Sequence, residues 1–332
     1  MHPPSLMALL ACPACSGRLE QLVCSSCGSR YQSPGGIPDL RLPADRRTEV
    51  VREFYSAAPF PAYRPLETLM NLRERARRSE FIRLLDEAIP PGARVLELGC
   101  GTGQLSLFLA TADRMVLGAD LTRASLELGA EAAKRFGVEG VLFVETDLRR
   151  PGLRAGAFDV VVCSGVLHHT PDPRIAFSSV AGLVKPDGYV VLGLYNAFAR
   201  LPHRLRRGIA RLSGFRLIPF DPVLRGRRSE SARRSAWLRD QYQHPEEHRQ
   251  TLRDVKCWFR ENEIEYVRAY PSALLASEDS GDPGLFSPAP DDWAPESFLA
   301  QLSWMRTLAA EGGLFVTVGR RQSGHPSDHL NL

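Results

Sequence analysis

The chain has 332 residues, 44% of them hydrophobic, which is enough for one large α/β domain and a small additional module. No apolar run approaches ~18 residues, so we predict no membrane span. The short apolar run at 6–11 lacks the cationic start of a signal peptide, and we therefore predict a cytoplasmic protein. The formal net charge is only +4, but residues 200–239 contain twelve arginines against Asp221 and Glu230.

Two Cys-x-x-Cys pairs, separated by eight residues, lie near the N-terminus: Cys12, Cys15, Cys24 and Cys27. Four thiolates at this spacing can surround Zn²⁺ as a tetrahedron, and such a closed site is structural and not catalytic. The alternative is a set of reactive or disulfide-linked cysteines. The segment from Leu10 through Tyr31 to Leu40 resembles the Trm112-like zinc-ribbon family, so we predict a ribbon at 1–42. Whether it contacts substrate, a protein partner or only its own domain is left open.

Residues 43–92 are predicted to form a linker and an N-terminal cap helix. Residues 42–49 are typical of a polar linker, and 53–63 combine aromatic residues and prolines in a pattern too irregular for a helix. The aromatic residues there either cover the cofactor or substrate cleft or pack as a plain surface loop: Tyr55, Phe60 and Tyr63. A period of about 3.6 predicts one amphipathic helix over 66–89, ended by Pro90-Pro91-Gly92.

The centre of the chain alternates strands and helices, over 93–98, 104–111, 115–119, 122–136, 141–145, 158–163, 172–184 and 189–194. This alternation predicts a parallel sheet with helices on both faces. After the first strand, Gly99, Gly101 and Gly103 predict a tight turn in which backbone N–H groups can approach a ligand. Residues 185–188 predict a turn before the fifth strand, and 264–269 and 314–319 are the remaining strand candidates.

Polar residues follow the strands. Asp120 closes the second, Asp147 follows the third, and the fourth leads into Ser164-Gly165-Val166-Leu167-His168-His169-Thr170. The pattern E-x-G-x-G-x-G, the two acids and V-L-H-H-T-x-D-P closely resemble the class I S-adenosylmethionine (SAM)-dependent methyltransferases over roughly residues 80–195. The resemblance implies a seven-stranded Rossmann-like sheet, mostly parallel, whose antiparallel seventh strand lies between the fifth and sixth. The methyltransferase domain is expected to cover 93–321.

The same resemblance implies a SAM site in which Asp120 holds the ribose and Asp147 the adenine amino group. The backbone N–H of Leu148 would meet an adenine ring nitrogen, and Ser164 and Gly165 would lie next to the sulfonium. The cofactor-binding residues carried over in this way are Glu97, Gly99, Cys100, Gly101, Gly103, Asp120, Leu121, Asp147, Leu148, Ser164 and Gly165.

Many acceptors lose a proton during methyl transfer, and a histidine with a near-neutral pKa is the natural base. His168 and His169 are the first candidates, although either can instead hydrogen-bond backbone in a tight turn. Tyr195, as a catalytic residue, and Asn196, as a substrate contact, close the fifth strand.

Two insertions, at 196–250 and 271–313, interrupt the family pattern, and the tail 322–332 is predicted to be disordered. In the first, Leu201, Leu205, Ile209 and Leu212 form a helical apolar stripe with arginines on the other faces. This pattern fits a lid, a nucleic-acid surface, a membrane-surface helix or a docked helix with solvated charges.

Pro245 and the acids after it suit the start of a helix, which is predicted to run to about Glu261. His248 would then share an inward face with Leu252 and Val255, either as a core histidine or as a substrate contact. The residues expected to point from this insertion toward the transferred methyl group are Tyr242, His244, Glu247 and the catalytic candidate His248.

These observations predict an enzyme that transfers a methyl group from SAM to a small-molecule or peptide-like acceptor, with Zn²⁺ as a structural ion. One alternative is an rRNA or tRNA methyltransferase that uses the ribbon and the arginine-rich insertion. Its arginines are, however, not interleaved with aromatic residues that could stack bases. Another alternative is a non-catalytic SAM-binding adaptor whose ribbon recruits a protein partner.

Overall fold

The structure, a computed structural model, describes residues 4–64, 66–221, 224, 237–243, 247–274, 284–290, 294–309 and 312–323. None of the helices within these ranges is long and apolar enough to cross a membrane. Most of the tail for which disorder is predicted, from 324 on, lies outside them.

Residues 4–42, here called the N-terminal module, contain helix α1 (Pro4–Met7), the antiparallel strands β1 (Leu19–Glu20) and β2 (Val23–Cys24), and a 3₁₀ turn at Pro34–Gly36. The apolar side chains of the module join the core beneath the main sheet: Leu6, Leu9, Leu10, Leu22 and Leu40. A module of this size cannot build a core alone. It therefore contacts its own domain over a hydrophobic face.

Three helices follow the module: α2 (Arg46–Ser56), α3 (Leu69–Arg77) and α4 (Glu80–Ala88). The predictions of a linker over 42–49 and of a segment too irregular for a helix over 53–63 are wrong in part, because α2 includes residues 46–49 and 53–56. Asp45 starts α2 by accepting a hydrogen bond from the N–H of Thr48 at 2.9 Å. The single helix predicted over 66–89 is in fact two helices, because the Ser79 hydroxyl caps a new helix there.

The main sheet has seven strands: β3 (Arg94–Leu98), β4 (Met115–Asp120), β5 (Val141–Glu145), β6 (Phe158–Ser164), β7 (Val184–Tyr195), β8 (Ile264–Tyr270) and β9 (Leu314–Arg321). Their order is β5-β4-β3-β6-β7-β9-β8, and β9 alone runs antiparallel to its neighbours. This confirms the predicted fold class. The predicted turn at 185–188 lies inside β7, where the pairing with β6 shifts register.

The helices around this sheet are α5 (Gln104–Ala110), α6 (Arg123–Phe136), α7 (Pro173–Ala181), α8 (Leu201–Leu212), α9 (Leu252–Glu261) and α10 (Ala294–Thr307). Successive strand residues alternate between two hydrophobic clusters: Leu96 belongs to one and Val95 to the other. The sheet is therefore covered on both faces, as its apolar strands require.

The N-terminal module also extends the sheet beyond its β5 edge. The N–H of Leu40 donates to the carbonyl of Glu145, and the N–H of Glu145 donates to that of Pro38, both at 2.9 Å. The Glu145 side chain is buried and pairs with Arg41 at 3.1 Å and Arg123 at 2.6 Å. Backbone pairing and a buried ion cluster thus attach the module to the domain and cover part of an open sheet edge.

Helix α9 begins later than predicted. Thr251 and Asp254 form a capping box that starts the helix at Leu252, and residues 247–249 are not helical. The helix predicted from Pro245 is therefore wrong at His248. His244, Pro245 and Glu246 lie outside the described residues.

Candidate active site and metal centre

A cavity of about 540 Å³ opens at the carboxyl ends of the central strands. Its lining includes residues that end β3, β4, β6 and β7, from Glu97 round to Tyr195. The strand order reverses between β3 and β6: β4 and β5 lie on one side of β3, and β6 and β7 lie on its other side. Open α/β sheets bind ligands in the crevice at such a reversal. The volume lies within the range typical of small-molecule sites.

Ten of the eleven predicted cofactor residues line this cavity: Glu97, Gly99, Cys100, Gly101, Asp120, Leu121, Asp147, Leu148, Ser164 and Gly165. The exception is Gly103, which begins α5 with a φ of +72°. A Cβ on Gly103 would lie 2.4 Å from the ring of Phe143, so this glycine serves the packing of helix against sheet.

The first two glycines of the turn need their missing side chains for a different reason. Gly99 and Gly101 have φ values of +71° and +54°. A Cβ on Gly101 would lie 2.1 Å from the carbonyl oxygen of Phe60, because the segment around Phe60 and Pro61 lies directly on the turn. The Thr102 hydroxyl and the Gln104 amide hold that segment by donating to the carbonyl of Pro61, at 2.6 and 3.0 Å.

Asp120 organises the glycine turn from the neighbouring strand. Its carboxylate accepts the N–H of Gly101 at 2.8 Å and the N–H and hydroxyl of Thr122 at 2.9 and 2.6 Å. Burial raises the pKa of Asp120, and the hydrogen bonds from Thr122 oppose this rise. A carboxylate has about four acceptor positions, so three donors leave capacity for a hydroxyl of a ligand.

Glu97 is the second buried acid at this turn. Its carboxylate accepts the hydroxyl proton of Ser106 on α5. Burial raises the pKa of Glu97 to about 7, against the hydrogen bond with Ser106 that favours the ionised form. A cationic ligand group beside Glu97 would favour ionisation and so lower this pKa.

The cavity wall beyond β5 is closed by α2. Asp147 pairs with Arg149 at 2.7 Å, and Arg149 also binds Asp45 at 2.7 Å and the hydroxyl of Thr48 at 2.5 Å. This ion cluster holds the first turns of α2 against the cavity, and it brings Arg47, Thr48 and Val51 into the lining. These three residues were not predicted from the sequence. The N-cap pattern at Asp45 could have indicated the helix that carries them.

The rim after β6 separates the two predicted histidines. His169 lines the cavity, with its ring centroid 6.0 Å from that of Tyr195 and 6.4 Å from that of Tyr55. His168 is fully buried outside the lining, and its ring packs on that of Tyr195 at 3.9 Å. The backbone carbonyl of His168 accepts the N–H of His248 at 2.8 Å. Of the two, only His169 lies where a ligand can reach it.

Tyr195 belongs to a buried polar network that the sequence did not suggest. Gln241 donates from Nε2 to the Tyr195 hydroxyl and accepts at Oε1 from Arg200, both at 2.6 Å. Arg200 is fully buried, with its guanidinium carbon 3.7 Å from the centroid of the Tyr195 ring, and it pairs with Glu247 at 2.9 Å. Burial alone would raise the pKa of Glu247, but the hydrogen bond and charge of Arg200 outweigh it and lower the pKa to about 2.

This network fixes the direction of the Tyr195 proton. A guanidinium can only donate, so the Gln241 oxygen must point to Arg200 and its NH₂ group to Tyr195. The Tyr195 oxygen therefore accepts from Gln241, and its own O–H must donate in another direction. Gln241 and Tyr195 both line the cavity.

Several predicted substrate residues lie elsewhere. Asn196 is buried, and its side chain hydrogen-bonds the backbone of 198–199 and Gln301. The Tyr242 hydroxyl donates to Asp221 at 2.6 Å. The Tyr63 hydroxyl donates to the carbonyl of Thr102 at 2.8 Å. Glu247 and His248 are outside the lining as well, and His244 is outside the described residues. Tyr55 and Phe60 do line the cavity. Trp237 and Leu314 join the lining without having been predicted.

Four free cysteines meet in the N-terminal module: Cys12, Cys15, Cys24 and Cys27. Their sulfur atoms all lie within 4.8 Å of one another, with 3.7 Å between Cys12 and Cys27 and 3.5 Å between Cys15 and Cys24. Zinc–sulfur bonds of about 2.3 Å give tetrahedral edges of about 3.8 Å. The thiols therefore fit one Zn²⁺ ion.

Residues 96–192 match the protein-family model described as "Methyltransferase domain". The matched residues run from β3 into β7 and include most of the cavity residues on the strand ends. The match includes the glycine turn, Asp120, Asp147 and His169.

Proteins similar to this chain include ubiquinone biosynthesis O-methyltransferases. That of Cronobacter sakazakii is 38% identical over 109 residues, which are 33% of this chain and 45% of the relative. That of Bordetella avium is 34% identical over 142 residues, 42% and 55% of the two chains. The chain thus spans about half the length of the curated relatives it matches.

Among solved structures, PKMT2 from Rickettsia typhi in complex with AdoHcy aligns with a TM-score of 0.51 and 16% identity. The alignment covers 80% of this chain and 55% of that one. At this identity the likeness concerns the fold alone.

The metal centre yields the first prediction. Purified protein should contain about one equivalent of zinc, and Cys24→Ser should lose it, because a buried ligand is removed from a closed four-thiolate set. Metal analysis by mass spectrometry measures this. Cys257→Ser is the matched control, since this cysteine lies on α9 and outside the cluster. A well-folded wild type without metal would contradict the prediction.

The Arg200 network yields the second. Glu247→Gln should lower the free energy of unfolding by about 3–5 kcal/mol, because it leaves buried Arg200 without its counter-ion. The exposed control Glu87→Gln, which only breaks a pair with Arg83, should cost less than about 1 kcal/mol. Urea unfolding followed by circular dichroism measures both.

The same variant has a defined pH dependence. Folding lowers the pKa of Glu247 from 4.5 to about 2, so its stabilisation is present above pH 4.5 and is lost as the pH falls toward 2. The difference in free energy of unfolding between wild type and Glu247→Gln should therefore decrease as the pH falls from 4.5 toward 2. A difference that does not change with pH would show that the ionised carboxylate is not what stabilises the fold.

Proposed function

We propose that this protein is a SAM-dependent methyltransferase that methylates an oxygen of a small, largely apolar or aromatic acceptor. One observation carries the proposal: a single cavity joins the glycine turn and Asp120 to a wall formed by His169, Tyr195 and Tyr55. The first group suits a nucleoside-containing cofactor, and the second suits an acceptor that must be oriented and deprotonated.

The residues present fit SAM on the side of the glycine turn. Gly99 and Gly101 line the cavity, and both positions require glycine because Cβ atoms there would clash with Val166 and Phe60. Asp120 would hold the ribose hydroxyls, and Asp147 with the N–H of Leu148 would hold the adenine. SAM supplies, when bound, a methyl group already activated by its sulfonium. The protein's part is therefore positioning and proton removal.

The rest of the lining supports an apolar or aromatic acceptor. Its apolar and aromatic residues include Tyr55, Pro171, Trp237 and Leu314. The name of the curated relatives, ubiquinone biosynthesis O-methyltransferase, supports an oxygen atom of a small molecule as the methylated group.

His169 would act as the base and Tyr195 as the orienting donor. His169 lies on the rim of β6, and a neutral imidazole there can accept the proton of a hydroxyl acceptor as the methyl group is transferred. Tyr195 already accepts a hydrogen bond from Gln241, so its O–H has the polarity needed to donate to an acceptor oxygen. Glu247 contributes indirectly, as a positioning residue that holds Arg200 and through it Gln241.

Incubation with methyl-labelled SAM tests the proposal. We expect label in the small-molecule fraction of a cell extract and in simple catechols or hydroquinones. His169→Ala should lower kcat at least about tenfold without changing SAM affinity. Ser178→Ala, on α7 outside the cavity lining, is the control. Label found only in RNA would replace this acceptor class with RNA, and SAM binding without transfer to any fraction would favour an adaptor.

Cofactor binding is tested separately. Asp120→Asn should weaken SAM binding by several-fold to a hundredfold, about 1–3 kcal/mol for a lost charge-assisted pair of hydrogen bonds. Asp159→Asn makes the same change on β6, where the acid pairs with Lys185 outside the cavity, and should leave the affinity unchanged. Titration calorimetry with SAM compares the two. Equal SAM affinities of wild type and Asp120→Asn would show that Asp120 does not bind the ribose.

A further inference from the structure

Helix α8 turns its apolar side to solvent. Leu205 is 73% exposed and Leu212 is 92% exposed, and Leu201, Ile209 and the following Leu217 are exposed as well. The four residues within α8, Leu201, Leu205, Ile209 and Leu212, form a continuous stripe along the helix, because they recur at three to four residue intervals. A contiguous exposed apolar stripe on a helix is unusual for a surface that contacts only water.

The helix cannot rotate to bury this stripe. Its opposite face is fixed by polar contacts: His203 hydrogen-bonds the carbonyl of Gln241 at 2.9 Å, and Arg207 pairs with Glu247 at 2.9 Å. Ala210 is fully buried on the same side. Turning the leucines inward would break the ion pair and leave Glu247 and Arg200 poorly compensated, which costs more than exposing the stripe.

The charges beside the stripe have one sign. Residues 196–220 contain six arginines and no acidic residue. At 3.6 residues per turn, Arg204 and Arg211 flank the stripe on one side and Arg206 flanks it on the other. An apolar face bordered by arginines is the pattern of a helix that lies in the interface of an anionic bilayer, with its leucines among the acyl chains and its cations at the headgroups.

We propose that α8, with the exposed stripe Leu201, Leu205, Ile209 and Leu212, docks the protein on the surface of an anionic lipid bilayer. A second copy of the chain is a poorer occupant of this face. Two copies meeting here would bring two sets of arginines together with no acidic residue of 196–220 to compensate them. The proposal concerns surface binding only and stands independently of methyl transfer.

The docking surface lies close to the cavity. Arg200, immediately before α8, packs on the ring of Tyr195, and Gln241 connects the inner face of α8 to the Tyr195 hydroxyl. These buried residues connect the proposed lipid-facing helix to the cavity wall. A bound bilayer would therefore bring apolar molecules dissolved in it near the site.

Vesicle co-sedimentation tests the proposal. The full-length protein is mixed with vesicles of phosphatidylcholine alone and of an equimolar mixture with phosphatidylglycerol. We expect wild type to partition at least about tenfold better onto the anionic vesicles, less so as ionic strength rises. The double variant Leu205→Glu/Leu212→Glu should bind them at least about tenfold less well, because it places charge on the stripe.

Two further variants control the experiment. Ile175→Glu makes the same change at a 66% exposed position on α7 and should bind as wild type does. Arg204→Gln/Arg211→Gln keeps the leucines and should lose the preference for the anionic vesicles. This pair also carries the test if the glutamate variant fails to fold, as judged from its thermal midpoint.

Three outcomes would overturn the proposal. Wild type that binds neither type of vesicle has no such surface. Unchanged binding by both double variants would place the lipid contact elsewhere. A concentration-dependent dimer in sedimentation velocity, abolished by Leu205→Glu/Leu212→Glu in the absence of lipid binding, would assign the stripe to a second copy.

Discussion

The buried cation of Arg200 is the constraint on which the cavity wall around Tyr195 depends. Its guanidinium lies on the Tyr195 ring and donates to Gln241, Glu247 and the carbonyl of Gly312. A charge removed from water is tolerated only when its donors are matched by acceptors. These contacts come from three parts of the chain, so one side chain fixes how the first insertion, β7 and the turn before β9 meet.

The same constraint decides which side of α8 faces the protein. Two stripes with helical spacing run along this segment, one of leucines and isoleucine and one composed of Arg200, His203, Arg207 and Ala210. Hydrophobicity alone favours burial of the first. The second stripe is the one that is buried, because Glu247 and Gln241 lie beneath it and because breaking a buried ion pair costs several kcal/mol. The exposed leucines are thus a consequence of where the charges are compensated.

Local patterns explain why the cofactor side could be predicted. The glycine turn, Asp120 and Asp147 each follow a strand directly, and parallel strands place their carboxyl ends at one edge of the sheet. That rule explains why the ten residues implied by the methyltransferase resemblance line one cavity. The helix predicted at His248 is not found there, because the capping box of Thr251 and Asp254 starts α9 at Leu252 with two reciprocal hydrogen bonds.

The arrangement of the other cavity walls could not be derived in this way, since the residues that form them are far apart in sequence. Gln241 reaches Tyr195 across 46 residues, and Arg149 reaches α2 across about a hundred. No periodicity or spacing records such pairings, and each depends on which polar group the fold leaves to be satisfied. His168 and His169 illustrate the limit: adjacent in sequence, they differ in access to the cavity because the 3₁₀ turn at Leu167–His169 aims only one ring toward it. The residues of the methyltransferase motifs therefore lie in contiguous segments, whereas the cavity wall around Tyr195 depends on long-range compensation of buried charge.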